Sequence, residues 1–196
     1  MINAIIMASG NSRRMGTNKL LLKYKEKTII EHSIENVIMC DFYSSVLVSQ
    51  YENILNFGRE RTMKVVHNYN SEKGQSESIK LGILNSPKSN GYMFFTGDQP
   101  LMNVETIKLL MKSFKENKNL IIVPRYNEKS GNPVIFPRKY ENELLALQGD
   151  NGGRSIINKH LESVKFLEVK NEWLLSDIDT EEDYKRLIAR NLNSIM

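Results

Sequence analysis

The stretch from Ala8 to Lys19 (Ala-Ser-Gly-Asn-Ser-Arg-Arg-Met-Gly-Thr-Asn-Lys) concentrates glycine, hydroxyl side chains and positive charge, and it contains no acid. Glycine has no Cβ, so backbone N–H groups around Gly10 can come close to a ligand. Arg13, Arg14 and Lys19 add fixed positive charge in the same place. A loop of this make-up at the end of a first strand suits a triphosphate. No Gly-Lys-Ser/Thr occurs, so it is not a Walker A loop. Bulky Arg13 and Arg14 fill positions that a dinucleotide fingerprint keeps small. Taken alone, such a cluster is also an ordinary surface turn with solvated charges.

Other segments carry chemistry of a compatible kind. Gly97-Asp98-Gln99-Pro100 follows the apolar run Tyr92 to Thr96. A carboxylate at a strand end, ahead of a proline that stops the strand, is placed to hold a divalent cation. Mg2+ wants hard oxygen ligands and often takes only one or two protein carboxylates, with phosphates and water completing its shell. The same four residues also make an ordinary turn. Gly74-Gln75-Ser76-Glu77-Ser78 precedes a helical pattern, where Ser76 can act as the cap and the helix N-terminus offers free N–H groups. Gly149-Asp150-Asn151-Gly152-Gly153-Arg154 could receive a phosphate at a helix entry, or merely join two helices. Asp177-Ile178-Asp179-Thr180 places two carboxylates on one face of an extended chain. It also reads as Thr180 capping a helix, with flanking acids that suit the dipole. His32, His67 and His160 lack metal-ligand spacing, and no Ser/His/Asp or Cys/His arrangement is visible. A nucleophile that is already a phosphate anion needs no such base.

These segments must be positioned by regular elements. Strand-like runs are Ile2 to Met7, Ser45 to Val48, Lys64 to His67, Tyr92 to Thr96 and Leu120 to Val123. Helical patterns lie between them at Ile29 to Met39, Glu52 to Arg61, Ser76 to Asn85 and Val104 to Glu116. Thr28 with Glu31 has capping-box spacing, and Asn103 can cap the fourth helix. This alternation predicts an α/β three-layer sandwich: a mostly parallel, Rossmann-like sheet with helices on both faces. Ligands in such sheets bind at the carboxyl ends of strands, where the loops after Met7, His67 and Thr96 lie. The later half predicts strands at Pro133 to Phe136 and Val164 to Val169. Short helices are expected at Tyr140 to Leu147 and Ser155 to His160, and a last one, capped by Thr180, from Glu181 to about Leu192.

With 196 residues and no linker or repeat, residues 1–196 read as one domain. Hydrophobic residues make up 40% and charged residues 26%, which predicts a folded globule rather than disorder. The net charge of +4 permits anionic ligands, but no basic run is interleaved with aromatics, so nucleic acid is not an expected partner. No apolar run approaches a membrane span, no secretory signal is visible, and the single Cys40 fits packing in a reducing compartment. A cytoplasmic protein without a membrane partner is expected.

The opening loop resembles that of the molybdopterin nucleotidyltransferases of molybdenum cofactor biosynthesis, with Gly10, Ser12, Arg14, Met15, Gly16 and Lys19 in register. The Gly-Asp-Gln-Pro block, a Gly-x-Ser-x-Ser segment, the Gly-x-Pro of Gly131-Asn132-Pro133, the Gly-Asp loop before Arg154 and Asp-Ile-Asp-Thr follow in family order. The resemblance implies a nucleotidyltransferase fold with one reversed strand. It implies transfer of CMP from CTP to the phosphate of molybdopterin, with release of pyrophosphate. Arg14, Lys19 and Asp98 would be catalytic. Ala8, Ser9, Gly10, Ser12, Arg14, Lys19, Asn68, Gly74, Ser76 and Ser78 would bind nucleotide. Gly131, Asn132, Pro133, Asp150 and Arg154 would bind the acceptor. Asp98 and Asp179 would hold Mg2+, with Mn2+ an alternative. CTP, the molybdenum cofactor and a molybdoenzyme or its chaperone are the implied partners. Ser9 stands where the cytidylyl branch usually has Ala and the guanylyl branch Gly, which favours CTP over GTP. Three other readings stay open: transfer of a guanylyl or other nucleotidyl group to a different phosphorylated acceptor, a non-catalytic cofactor carrier, and a dinucleotide-binding oxidoreductase.

Overall fold

The computed structural model describes residues 1–12 and 15–193. Arg14, expected in the phosphate cradle, and Arg13 lie outside the described residues. In chain order the elements are β1 (Ile2–Met7), β2 (Lys23–Tyr24), β3 (Lys27–Thr28), α1 (Ile29–Ile38), β4 (Ser44–Ser49), α2 (Glu52–Glu60), β5 (Lys64–His67), α3 (Gln75–Leu84), β6 (Gly91–Thr96), α4 (Val104–Glu116), β7 (Ile121–Tyr126), β8 (Lys129–Ser130), β9 (Val134–Pro137), α5 (Glu141–Leu145), α6 (Arg154–Lys159), β10 (Val164–Glu168) and α7 (Glu181–Asn193).

β1 is apolar without alternation because both of its faces are covered. Ala4 and Ile6 join the core under α1, α2, α4 and α7, while Ile5 joins the core under α3, α5 and α6. β1 therefore lies at the centre of the sheet, whose order is β10-β7-β9-β6-β1-β4-β5, with β8 pairing β7. β4 and β6 flank β1 in parallel, in registers that run to Met7↔Val48 and Met7↔Thr96. β9 is reversed, antiparallel to both β6 and β7, and the two-residue β8 is antiparallel to β7 as well. The three-layer α/β sandwich expected from the sequence is the one observed. The carboxyl ends of β1, β4, β5 and β6 share one edge, so the loops after Met7, His67 and Thr96 open side by side.

Local signals explain the helix ends. The Thr28–Glu31 capping box is formed, Asn103 Oδ1 accepts the Thr106 N–H at 2.9 Å, and Thr180 with Asp183 closes the start of α7. Two expectations are corrected. Ser76 does not cap α3, because Gly74 holds the cap position at φ 95° and Ser76 lies inside the first turn. β7 does not stop at Val123 but runs through Pro124 to Tyr126. Pro124 has no N–H to give the ladder, and its carbonyl accepts the Gly131 N–H. The β2–β3 hairpin and β8 carry no apolar run and were not expected.

Gly91 opens β6 against α4 and β9. A Cβ there would lie 2.6 Å from Phe114 Cζ and 2.7 Å from the Phe136 carbonyl oxygen. Overpacking of this kind costs about 1–3 kcal/mol. Gly91→Ala is expected to lower the urea midpoint with little change in slope. An unchanged midpoint would show that this seam yields freely.

Candidate functional site

The site begins where β1 ends. Ala8 continues the sheet, donating to the Val48 carbonyl at 2.8 Å, and its own carbonyl accepts from Ser49 Oγ at 2.9 Å. The chain then leaves the sheet as a loop tied down by α2's approach. Gln50 Nε2 donates to Ser9 O at 2.7 Å and to Asn11 Oδ1 at 2.6 Å, and Tyr51 OH donates to Gly10 O. With these carbonyls engaged from one side, the Gly10 backbone borders an open cleft. Ser12 takes a positive φ of 47° and its hydroxyl accepts the Lys19 N–H at 3.2 Å. Asn18 caps the short helical turn that begins at Lys19. Both contacts fix the direction in which the lysine leaves the backbone.

Lys19 Nζ lies 2.5 Å from Asp98 Oδ2 and 2.7 Å from Asp179 Oδ1. Its side chain is only 12% exposed. Burial alone would lower the Lys19 pKa, but the Asp98 charge and the hydrogen bonds to Asp179 and Asp98 outweigh it and raise the value. Asp98 follows β6, and Asp179 precedes α7. The two are locked together by backbone as well, since Ile178 N–H donates to Asp98 O at 3.0 Å and Gln99 Nε2 donates to Leu175 O. Asp177 joins them and accepts a hydrogen bond from Gln99. Burial, then the charges of Asp98 and Asp179, push its pKa up from 3.8 to about 7. Asp177 is the residue missed in the sequence. The Asp-Ile-Asp spacing signalled two carboxylates on one side, but nothing local showed that both reach Asp98.

A cleft of about 260 Å3 runs from this cluster along the ends of β1 and β6. Ala8, Ser9, Gly10, Lys19, Gly74 and Ser78 line it together with Asp98. Ser12 and Asp179 border an adjoining hollow. Asn68 and Ser76 are buried at 1% and 0% exposure, behind the lining rather than in it. A second cavity, of about 460 Å3, lies beneath β9 and α6 and is lined by Gly131, Asn132, Asp150, Arg154 and Asp177 over an apolar floor. Pro133 is not part of that lining; it is joined to Asn132 by a cis peptide bond. The cleft and the cavity share Met7, Gln75 and Asp150.

The oxygen cluster fits a hard divalent cation. Two carboxylates already converge on one positive charge, and Asp98 Oδ1 is buried without a hydrogen-bond partner among the described residues. No three of the described His, Cys, Asp and Glu side chains are placed to hold one ion together. A two-carboxylate site that leaves positions for phosphate oxygens is what Mg2+ or Mn2+ accepts.

A doubly covered parallel sheet with a glycine-rich cationic loop at its central strand and a carboxylate pair beside it defines a nucleotide-binding α/β enzyme scaffold. The sequence matches the MobA-like NTP transferase domain over residues 4–164, and the chain belongs to that family. It is 26% identical to the molybdenum cofactor cytidylyltransferase of Escherichia coli (strain K12), over 93% of each chain. It is 28% identical to a Methanosarcina mazei protein named "Probable molybdenum cofactor guanylyltransferase", over 72% of this chain and 66% of that one. A Mycobacterium tuberculosis H37Rv protein of 26% identity superposes with a TM-score of 0.83 over 96% of this chain and 97% of that one. The same protein has been solved in complex with manganese, at a TM-score of 0.79 over 96% of this chain and 98% of that one.

The raised Asp177 pKa has a consequence for stability. The folded state holds this proton more tightly than the unfolded chain does, so folding is favoured at low pH and stability falls as pH rises from about 4 to about 7. Without divalent cation, urea midpoints are expected to drop across this window, and Asp177→Asn is expected to flatten the drop. An equal drop in both proteins would assign it to other groups.

Proposed function

We propose that residues 1–196 act as one nucleotidyltransferase domain, in the cytoplasm, that moves CMP from CTP to the terminal phosphate of a molybdopterin-type cofactor and releases pyrophosphate. GTP is the second reading for the donor. The observation that carries the proposal is the Lys19 ammonium held between Asp98 and Asp179 at the end of a cleft walled by the first loop. The named relatives support the acceptor, and the manganese complex of the M. tuberculosis protein supports a divalent cation.

The chemistry required is limited. An acceptor phosphate attacks the α-phosphorus in line, so the tasks are to bring two anions together and to neutralise charge. Asp98 and Asp179 would hold Mg2+ or Mn2+, which supplies positive charge to the α-phosphate. Lys19 is a point charge on a flexible stem and would turn from the carboxylates to the β- and γ-phosphates. Arg14 would grip two phosphate oxygens with its fork. Backbone N–H groups around Gly10 would face the same oxygens. Arg154, at the first turn of α6, would receive the acceptor phosphate, with Gly131, Asn132 and Asp150 walling its cavity. Asp177 also lines that cavity.

The direct test is pyrophosphate release on mixing CTP, Mg2+ and the acceptor; no release with any nucleotide would leave only a binding role. With Mg2+, CTP is expected to raise the thermal midpoint more than GTP, because Ser9 adds bulk beside Gly10 where a purine would crowd. A hundredfold excess over Kd corresponds to about 2.7 kcal/mol. A larger shift with GTP would move the assignment to the guanylyl branch. Lys19→Ala is expected to lower turnover about a hundredfold, the usual scale for a lost oxyanion contact. Asp98→Asn is expected to shift the Mg2+ dependence of turnover to higher concentration, and Asp179→Asn to do so more mildly. An unchanged Mg2+ curve for Asp98→Asn would remove Asp98 from the metal.

A further inference from the structure

The cleft occupies the carboxyl edge of the sheet, and the opposite edge holds a second concentration of positive charge. β9 runs between β7 and β6 in the reverse direction, so its exit meets the entries of both neighbours there. Ser89 and Asn90 precede β6, Lys118 and Asn119 precede β7, and Arg138 and Lys139 follow β9. Together with Pro137 they line one hollow of about 320 Å3. Hydrogen bonds set its frame. Arg138 N–H donates to Asn90 O at 2.9 Å, Leu120 N–H to Asn117 O at 3.0 Å, and Ser89 Oγ to Gly91 O at 2.9 Å. Asp98, past the far end of β6, is roughly 20 Å away, the length of a six-residue strand.

The lining of this hollow has three cations and two side-chain amides, and no acid. Neither Lys118 nor Lys139 has an ion-pair partner among the described residues. Lys139 Nζ lies 4.9 Å from the centre of the Tyr140 ring instead. Arg138 Nε is 3.5 Å from Glu141 Oε2, an oxygen that also accepts from Tyr92 OH at 2.6 Å. One carboxylate, already engaged, therefore faces three positive charges. Like charges gathered in this way repel one another, and an anion among them removes that cost. The donors come from three loops around one space. That suits an oxyanion whose oxygens point in several directions better than it suits a flat carboxylate. Arg138 offers a fork to two such oxygens, and each lysine a movable point charge. We propose that this hollow is a second anion site, separate from the cleft, that takes the phosphate group of a small phosphorylated molecule. The site stands apart from the nucleotidyl transfer reading and does not rest on it.

The test is a 15N NMR titration of the full chain with inorganic phosphate, without divalent cation, at an ionic strength held constant with sodium chloride. The backbone amides of Asn90 and Asn119 are expected to shift along one saturating curve. In the double variant Lys118→Ala/Lys139→Ala that curve is expected to weaken about tenfold or more, the scale of a lost charge-assisted hydrogen bond. Any shifts at Gly10 and Gly97, in the cleft, are expected to keep their wild-type midpoint. A control pair, Lys64→Ala/Lys185→Ala, removes the same charge from exposed positions that do not line the hollow, and is expected to bind as the wild type does. All four lysines are exposed, so the variants are expected to fold, and their unshifted core resonances check this. Shifts that never saturate, equal shifts with chloride alone, or equal weakening in the control pair would show an adventitious ion only and overturn the proposal. Shifts confined to the cleft, or an unchanged midpoint in Lys118→Ala/Lys139→Ala, would overturn it as well. None of these outcomes touches the nucleotide reading, which the pyrophosphate release test decides by itself.

Discussion

One half-buried ammonium sets the geometry of the site. Asp98, Asp177 and Asp179 come from two segments far apart in sequence, and three carboxylates this close repel one another. Lys19 offsets that repulsion by bonding two of them at once. Its reach depends on the loop before it, through the Ser12 hydroxyl on its N–H and the Asn18 cap. The carboxylates depend in turn on backbone bonds that tie the segment before α7 to the end of β6. Moving any one of these elements leaves charge unpaired in a poorly solvated place, where the cost is high.

The fold supplies this geometry through the central position of β1. Its loop is flanked by the ends of β4 and β6, so one flexible segment is braced from both sides. Gln50 and Tyr51 hold its carbonyls on one flank, and Lys19 reaches Asp98 on the other. A strand at the edge of the sheet would have one neighbour only. The buried polar side chains follow the same division. Asn68 Nδ2 donates to Ser78 Oγ on the β5 side, while Thr96 Oγ1 and Asp98 Oδ1 are buried without hydrogen-bond partners among the described residues on the β6 side. Unsatisfied oxygens in a buried place call for a positive or donating ligand.

The elements that the sequence revealed are those whose signal is local. Buried strands such as Ile2–Met7 and Tyr92 to Thr96 announce themselves as apolar runs, and Thr28, Asn103 and Thr180 mark helix starts by side chains that bond their own first turns. Elements held by distant contacts were not legible. The β2–β3 hairpin has two residues per strand and no apolar pattern, and β7 passes through a proline whose carbonyl bonds the N–H seven residues on, at Gly131. Ser76 looked like a cap from its residue type, yet the close approach of the Gly149 loop puts Gly74 there. At the site, residue types and order were legible, but the meeting of Lys19 with Asp179 and the burial of Asp177 arise from tertiary packing alone.

That approach of Gly74 to the Gly149 loop also shapes the wall between the cleft and the second cavity. At Gly74, φ is 95°, and a Cβ would fall on the backbone of Gly149 and Asp150. Ser76 N–H donates to Gly149 O, so one of the free N–H groups at the start of α3 goes to the loop rather than to solvent. The loop is thereby drawn across the sheet edge until Asp150 borders both the cleft and the second cavity, together with Met7 and Gln75. These three residues form a thin partition at the carboxyl end of β1. In-line attack between two anionic substrates needs such a junction, because the bulk of each must be held back while one oxygen of one meets the phosphorus of the other.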